Sequence, residues 1–335
     1  MKNLNLSKIL FLLITVLIAR VSYKQLKNFQ IQYNLLNEFN QNKFSESTYQ
    51  KIKEASLDFP NLGVSVLPLK AMAAEYFYRH QEFDEAINLL YESMEENPYL
   101  GFNESKLSIL YDKLNIRDSF YFYAKKAFYK VPNNAVHWGY YVKALNTMNY
   151  TDSIIEEFKK VEKSNNQLVW SYFMGGLMDK EKNYDSILKK TAFIAQEKFK
   201  KPRKNLKAFI EASIYGNENI KKADSLFQLA NEFSNKNDFP NAEKNFKNAI
   251  KIYPNNLEYY ENLGLTYSKE EKFDLAIEIF SSALDKFQPK DGKIEYYLGL
   301  IYYKLGKTKK GCDFLTIASN YNHIDSGVRL KTLCK

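Results

Sequence analysis

Counted back from Pro254, apolar residues fall at fixed places: Leu226, Leu229, Ala230, Phe233, Ala242, Phe246 and Ala249. If the proline is position 32 of a unit, these are positions 4, 7, 8, 11, 20, 24 and 27. The series returns as Tyr260, Leu263, Gly264, Tyr267, Ala276, Phe280 and Ala283, with Pro289 one residue late. A third pass gives Leu298, Gly299, Tyr302, Gly306, Gly311, Leu315 and Ala318. The steps are 34 and then 35 residues. A period of this length marks a supersecondary unit that buries its apolar face only against its neighbours. A chain of 335 residues is too long for one undivided core, and a stack of such units has no such limit. With only 12 Gly and 8 Pro and no long alternation of apolar and polar residues, each unit is predicted to be helical.

The residue types at these positions suit two helices pressed together. Positions 8, 20 and 27 lie where the helices approach most closely, so they carry Ala or Gly, while positions 4, 7, 11 and 24 fill the remaining space. Proline ends the second helix because it has no amide donor and restricts the residue before it. The period and these residues resemble the tetratricopeptide repeat. The resemblance implies an all-α fold, a right-handed superhelical solenoid of helix–turn–helix units.

Earlier stretches carry the lattice more loosely. One unit runs Ala73, Ala74, Phe77, Ala86, Leu90 and Pro98, and the next Leu107, Ser108, Tyr111, Ala127 and Pro132. A third has Trp138, Tyr141, Leu145, Ile154 and Phe158; a weaker first unit has Leu35, Phe39, Ile52, Ala55 and Pro60, with Thr48 at position 20. Residues 167–200 read as a degenerate unit with Trp170, Phe173, Leu177 and Ile187. The basic stretch 198–207 reads as a joint, followed by a helix over 205–215 that ends at Gly216. The expected organisation is an N-terminal segment 1–28, a repeat block 29–197, a joint 198–222 and a C-terminal block 223–335.

At the N-terminus an apolar run from Ile9 to Ala19, broken only by Thr15, follows Lys2 and Lys8 and precedes Arg20, Lys24 and Lys27. It is short for a membrane span but matches the apolar region of a secretory signal. The readings are a retained signal-anchor, a cleaved signal, or a capping helix buried on the first unit; the anchor is preferred, because Leu17 spoils the cleavage site. Cys312 and Cys334 lie equally far from a turn near His323, so an antiparallel hairpin would bring them level for a disulfide. That pairing favours an oxidising, extracytoplasmic (periplasmic) setting.

No catalytic pattern is present: His80, His137 and His323 belong to no metal-ligand pair, and no phosphate loop or nucleophile elbow occurs. The chain reads as a non-enzyme without cofactor. In tetratricopeptide proteins the inner groove is lined by positions 2, 5, 9, 12 and 13. Carried over, these give Glu75, Tyr78, Arg79, Asp112, Lys113, Lys143 and Asn146 in the first block. In the second they give Phe227, Asn231, Glu261, Lys269, Tyr296, Tyr303 and Lys304. The resemblance therefore implies a membrane-tethered scaffold for a protein or peptide partner, with a glycan also compatible with the aromatics. The alternative is an accessory or C-terminal region of envelope polysaccharide machinery of the O-antigen polymerase or ligase kind. Nucleic acid ranks last, resting only on a net charge of +9.

Overall fold

The computed structural model describes residues 6–334 apart from 56, 58–61, 64–65, 179 and 181–182, with the side chains of Leu6 and Ser7 left aside. Pro60 and Lys2 therefore lie outside the described residues. Among those described the fold is all-α, with one isolated bridge between Leu62 and Pro68.

The chain begins with one 36-residue helix, α1 (Leu6–Gln41), followed by the short α2 (Glu46–Lys53). Helical hairpins then follow in pairs: α3 (Leu69–Arg79) with α4 (Phe83–Glu92), α5 (Phe102–Lys113) with α6 (Arg117–Lys130), and α7 (Ala135–Thr147) with α8 (Thr151–Phe158). Next come α9 (Gln167–Leu177) with α10 (Asp185–Lys198), then α11 (Lys204–Tyr215). The last hairpins are α12 (Asn217–Asn235) with α13 (Phe239–Ile252), α14 (Leu257–Lys269) with α15 (Phe273–Phe287), and α16 (Lys293–Lys304) with α17 (Thr308–Asn320). A tail helix, α18 (Ser326–Leu333), closes the chain. The contacts divide it into two units, Met1–Phe209 and Ile210–Lys335.

In six of the hairpins the turn is built one way. Gln81, Asn115, Asn149, Asn237, Glu271 and Gly306 each take a positive φ between the two helices. The next amide then donates back to a carbonyl five residues earlier: Glu82 to Phe77, Ile116 to Tyr111, Tyr150 to Leu145, Asp238 to Phe233, Lys272 to Tyr267, and Lys307 to Tyr302. This is the Schellman arrangement, which satisfies carbonyls that a helix end would leave open. Asn and Gly adopt the left-handed conformation at least cost, which accounts for four of the six residues.

Helix starts also repeat. After Pro132 and Pro254, Asn134 and Asn256 accept from the amides of Val136 and Glu258 at 2.9 and 3.0 Å. Such caps satisfy amides that have no partner within the helix.

In the second unit the small positions lie at the helix contacts: Ala230, Ala242, Ala249, Ala276 and Ala283 are fully buried. A methyl on Gly264 would meet the Phe280 ring at 2.5 Å. In the first unit the core runs from Ile31 and Leu35 of α1 through Tyr76 to Leu110. Thr48 replaces the usual alanine because its hydroxyl donates to Glu38 at 2.6 Å. Glu38 also accepts from the Ser45 amide and the Tyr76 hydroxyl, pinning the end of α1 to α2 and α3.

Two expectations need correction. The N-terminal segment is not a capping helix buried on the first unit: residues 8–27 are exposed, and burial begins at Asn28. In the degenerate unit Leu188, not Ile187, is buried, with Ala192 and Ala195, a shift of one position in α10. Helix α12 starts at Asn217, directly after Gly216.

Candidate functional site

In the first unit, the first helices of successive hairpins line an open groove of about 600 Å³. Helix α7 contributes Val136, Gly139, Tyr140, Lys143 and Asn146, spaced three and four residues apart on one face. Helix α9 adds Leu168, Ser171, Tyr172 and Gly175; Asn205 and Phe209 come from α11 and Asp112 from α5. Glycine shapes the floor. A methyl on Gly139 would sit 2.8 Å from the Tyr172 ring, and one on Gly175 would sit 3.0 Å from the Phe209 ring. Each ring thus lies over a helix face bared by glycine on the preceding helix, and the groove presents a row of aromatic surfaces. Burial, with Asp112, Tyr78 and Tyr172 nearby, raises the pKa of the Tyr140 hydroxyl.

The charges beside this row are paired. Lys143 Nζ is 2.5 Å from Asp112. Lys106 of α5 reaches back to Glu75 of α3 at 2.7 Å, and Lys293 of α16 to Glu261 of α14 at 2.5 Å. The motif recurs: a lysine on the first helix of one hairpin meets a carboxylate on the first helix of the hairpin before it. Asn146 is also engaged, donating to the Gly176 carbonyl at 2.9 Å and accepting from Thr151. The groove therefore offers aromatic surface and the fixed amide of Asn146 rather than free charge.

The other expected residues fall in different surroundings. Tyr78 lines a narrow cleft beside Glu75 and Lys106. Arg79 is held by Glu75 at 3.0 Å and by Asn42 at 2.9 Å, with its guanidinium 3.8 Å over the Phe44 ring. Lys113 and Lys269 are exposed near helix ends, Asn231 is half-buried, and Tyr303 and Lys304 are exposed, Lys304 lying over Phe273. Tyr296 does not face a groove: it is buried and stacked on His323 at 4.5 Å. Phe227 and Glu261, at the same repeat position, are buried too. A large side chain there folds onto the following helix, as Phe227 does on Tyr259 at 4.9 Å. Where the position is Gly139 or Ser171, the groove stays open.

The basic stretch is structural where its contacts are defined. Lys198 donates to the carbonyls of Glu162 and Lys163 and lies over the Trp170 ring. Cys312 and Cys334 are bonded, with their Cα atoms 5.7 Å apart.

Stacked hairpins around a ligand-sized groove define a helical-repeat binding scaffold. The hairpins are of the tetratricopeptide kind: the model of the tetratricopeptide repeat family matches residues 227–284 and again 262–311. Residues 227–311, in the second unit, are therefore tetratricopeptide repeats. Among solved structures it resembles a chain of the APC/C Cut9–Hcn1 hetero-tetramer, at 15% identity and TM-score 0.32 over 86% of this chain and 52% of that one. It therefore spans about half the length of that relative. It also resembles the TPR2AB domain of yeast Sti1, solved with an HSP90 peptide, at 18% identity and TM-score 0.32 over 79% and 94% of the two chains. A tetratricopeptide protein of Parabacteroides merdae matches at 12% identity and TM-score 0.32 over 79% and 98%. Likeness at this level says nothing about ligand. No curated protein matches the sequence.

Proposed function

We propose that this protein is a membrane-tethered scaffold that holds a protein partner, through an extended peptide segment, in the groove of its first unit. The observation that carries the reading is the row of Tyr140, Tyr172 and Phe209 beside the Asn146 amide, already fixed in place. Flat, rigid rings give contact area at low entropic cost. Because Lys143 is neutralised by Asp112, the groove suits a peptide with apolar or aromatic side chains over an acidic one. The apolar segment of α1 supports the tether: it is exposed around its whole circumference, and the helix that carries it is long and apolar enough over an 18-residue window to be a candidate span. The disulfide supports an oxidising, extracytoplasmic setting for the repeats.

The test is selection of binders from a displayed peptide library on the full chain in detergent, followed by affinity measurements with Tyr172→Ala and Phe209→Ala. Each substitution should weaken binding about 5- to 50-fold, the loss of one buried aromatic contact. Raising salt from low to high should change affinity by less than about 3-fold, since rim charges contribute little. Peptides that bind both variants as tightly as the parent would overturn the groove assignment.

A further inference from the structure

We infer that α1 pairs with α1 of a second copy of this chain, forming a parallel two-stranded coiled coil along its free face. Beyond the apolar run the helix has two distinct faces. Asn28, Ile31, Gln32 and Leu35 are buried against the rest of the unit. The opposite face carries Tyr23, Leu26 and Tyr33, exposed at 70%, 60% and 62%. Outside a bilayer, such a stripe of large apolar groups calls for a cover.

The spacing identifies the cover. Ile9, Leu12, Val16, Ala19, Tyr23, Leu26, Gln30 and Tyr33 follow one another at alternating steps of three and four residues. That is the a and d seam of a heptad repeat, and a seam of this period packs into another of the same period. From Asn28 on, the buried residues fall at b, c and f, so there the seam is the face that folding leaves free; over the apolar run every face is exposed. In a parallel pair every seam residue meets its own copy. The single polar a position, Gln30, would set two amides side by side, a device that fixes register. Arg20 and Lys27, at e positions, then face Thr15 and Ser22 of the second helix rather than another cation.

Beyond the apolar run, Leu26 removes roughly 60–120 Å² from water and Tyr23 and Tyr33 about 150 Å² each, about half of the roughly 800 Å² per partner of a standard interface; Ile9, Leu12 and Val16 supply the rest of the contact by packing helix on helix within the apolar run. The parallel direction rests on the membrane-anchor reading, which brings both N-termini to the same bilayer. The pairing of residues 23–33 does not.

The test is oxidative crosslinking of the full chain in its native membranes, with one cysteine introduced at a time. The native cysteines are already joined. Tyr23→Cys, Leu26→Cys and Tyr33→Cys should give a dimer of twice the chain mass, at least about five times more efficiently than Lys24→Cys and Gln25→Cys. Leu26→Glu should convert dimer to monomer in light scattering of detergent-solubilised protein, with helix content unchanged, since Leu26 makes no core contact. Equal crosslinking at all five sites, none at any, or an adduct of another mass would overturn the pairing. A protein that salt releases from membranes yet still crosslinks with this period would overturn only the anchor.

Discussion

Glu295 lies buried on α16, one residue before Tyr296. One carboxylate oxygen of Glu295 is left without a donor among the described residues. Burial raises its pKa above the ordinary value of 4.5, and Asp291 adds to the rise while His323 opposes it. Below about pH 4.5 the group is protonated in both folded and unfolded chains and costs nothing. As pH rises the unfolded chain ionises first, so stability falls until the raised folded pKa is passed and stays lower above it. Glu295→Gln should therefore raise the melting temperature at pH 7 and leave it unchanged near pH 3.5, read by calorimetry at the two values. The close helix contacts allow a test of opposite signs. Gly264→Ala sets a methyl against the Phe280 ring, itself fully buried, and should cost about 1–2 kcal/mol, overpacking outweighing helix propensity. Gly327→Ala meets nothing within 4 Å and should gain a few tenths of a kcal/mol. Urea titration of both variants checks the sign.

At the scale of elements, the end of the stack is held differently from its interior. Helix α17 packs on α16 and has only the two-turn α18 on its other side. The disulfide ties α17 to the residue after α18, closing a loop with a sequence separation of 22. Such a closure stabilises by roughly 2–4 kcal/mol, less any strain. Reduction should speed amide exchange in residues 292–334 and leave the region around Trp138 unchanged, because repeats transmit stability mainly to their neighbours. Unchanged protection at the C-terminus after reduction would count against this role. The hairpin turns were partly open to reading: Asn115 and Asn149 stand 34 residues apart, and so do Asn237 and Glu271. The signal was faint because Gln81 and Glu271 fill the same left-handed position, held there by the helices on either side.

For the molecule as a whole, α1 decides how the repeats are carried. It runs from the apolar segment to Gln41 in one 36-residue helix, about 54 Å long, and its end is locked to α2 and α3 through Glu38. If Ile9–Ala19 lies in a bilayer, the first hairpins stand at a fixed height above it. The intact protein should then stay with membranes in high salt and be released by detergent, because apolar burial rather than charge retains it. Fractionation by salt and by detergent separates the two. The sequence by itself determined the helical class, the 34-residue period and the small residues of the second unit, since close packing of two helices leaves few choices at positions such as Ala242 and Gly264. It also placed Lys143 and Asn146 on one helix face, because three- and four-residue spacing is local. Only the tertiary structure decided what that face offers. Lys143 and Arg79 read as groove-lining and are met by Asp112 and Glu75. Tyr296 reads as groove-lining but turns onto His323. Tyr172 and Phe209 become groove surfaces because each covers a glycine about 33 residues earlier. The direction a side chain takes depends on which neighbouring helix arrives beside it, and the period of one helix does not encode that.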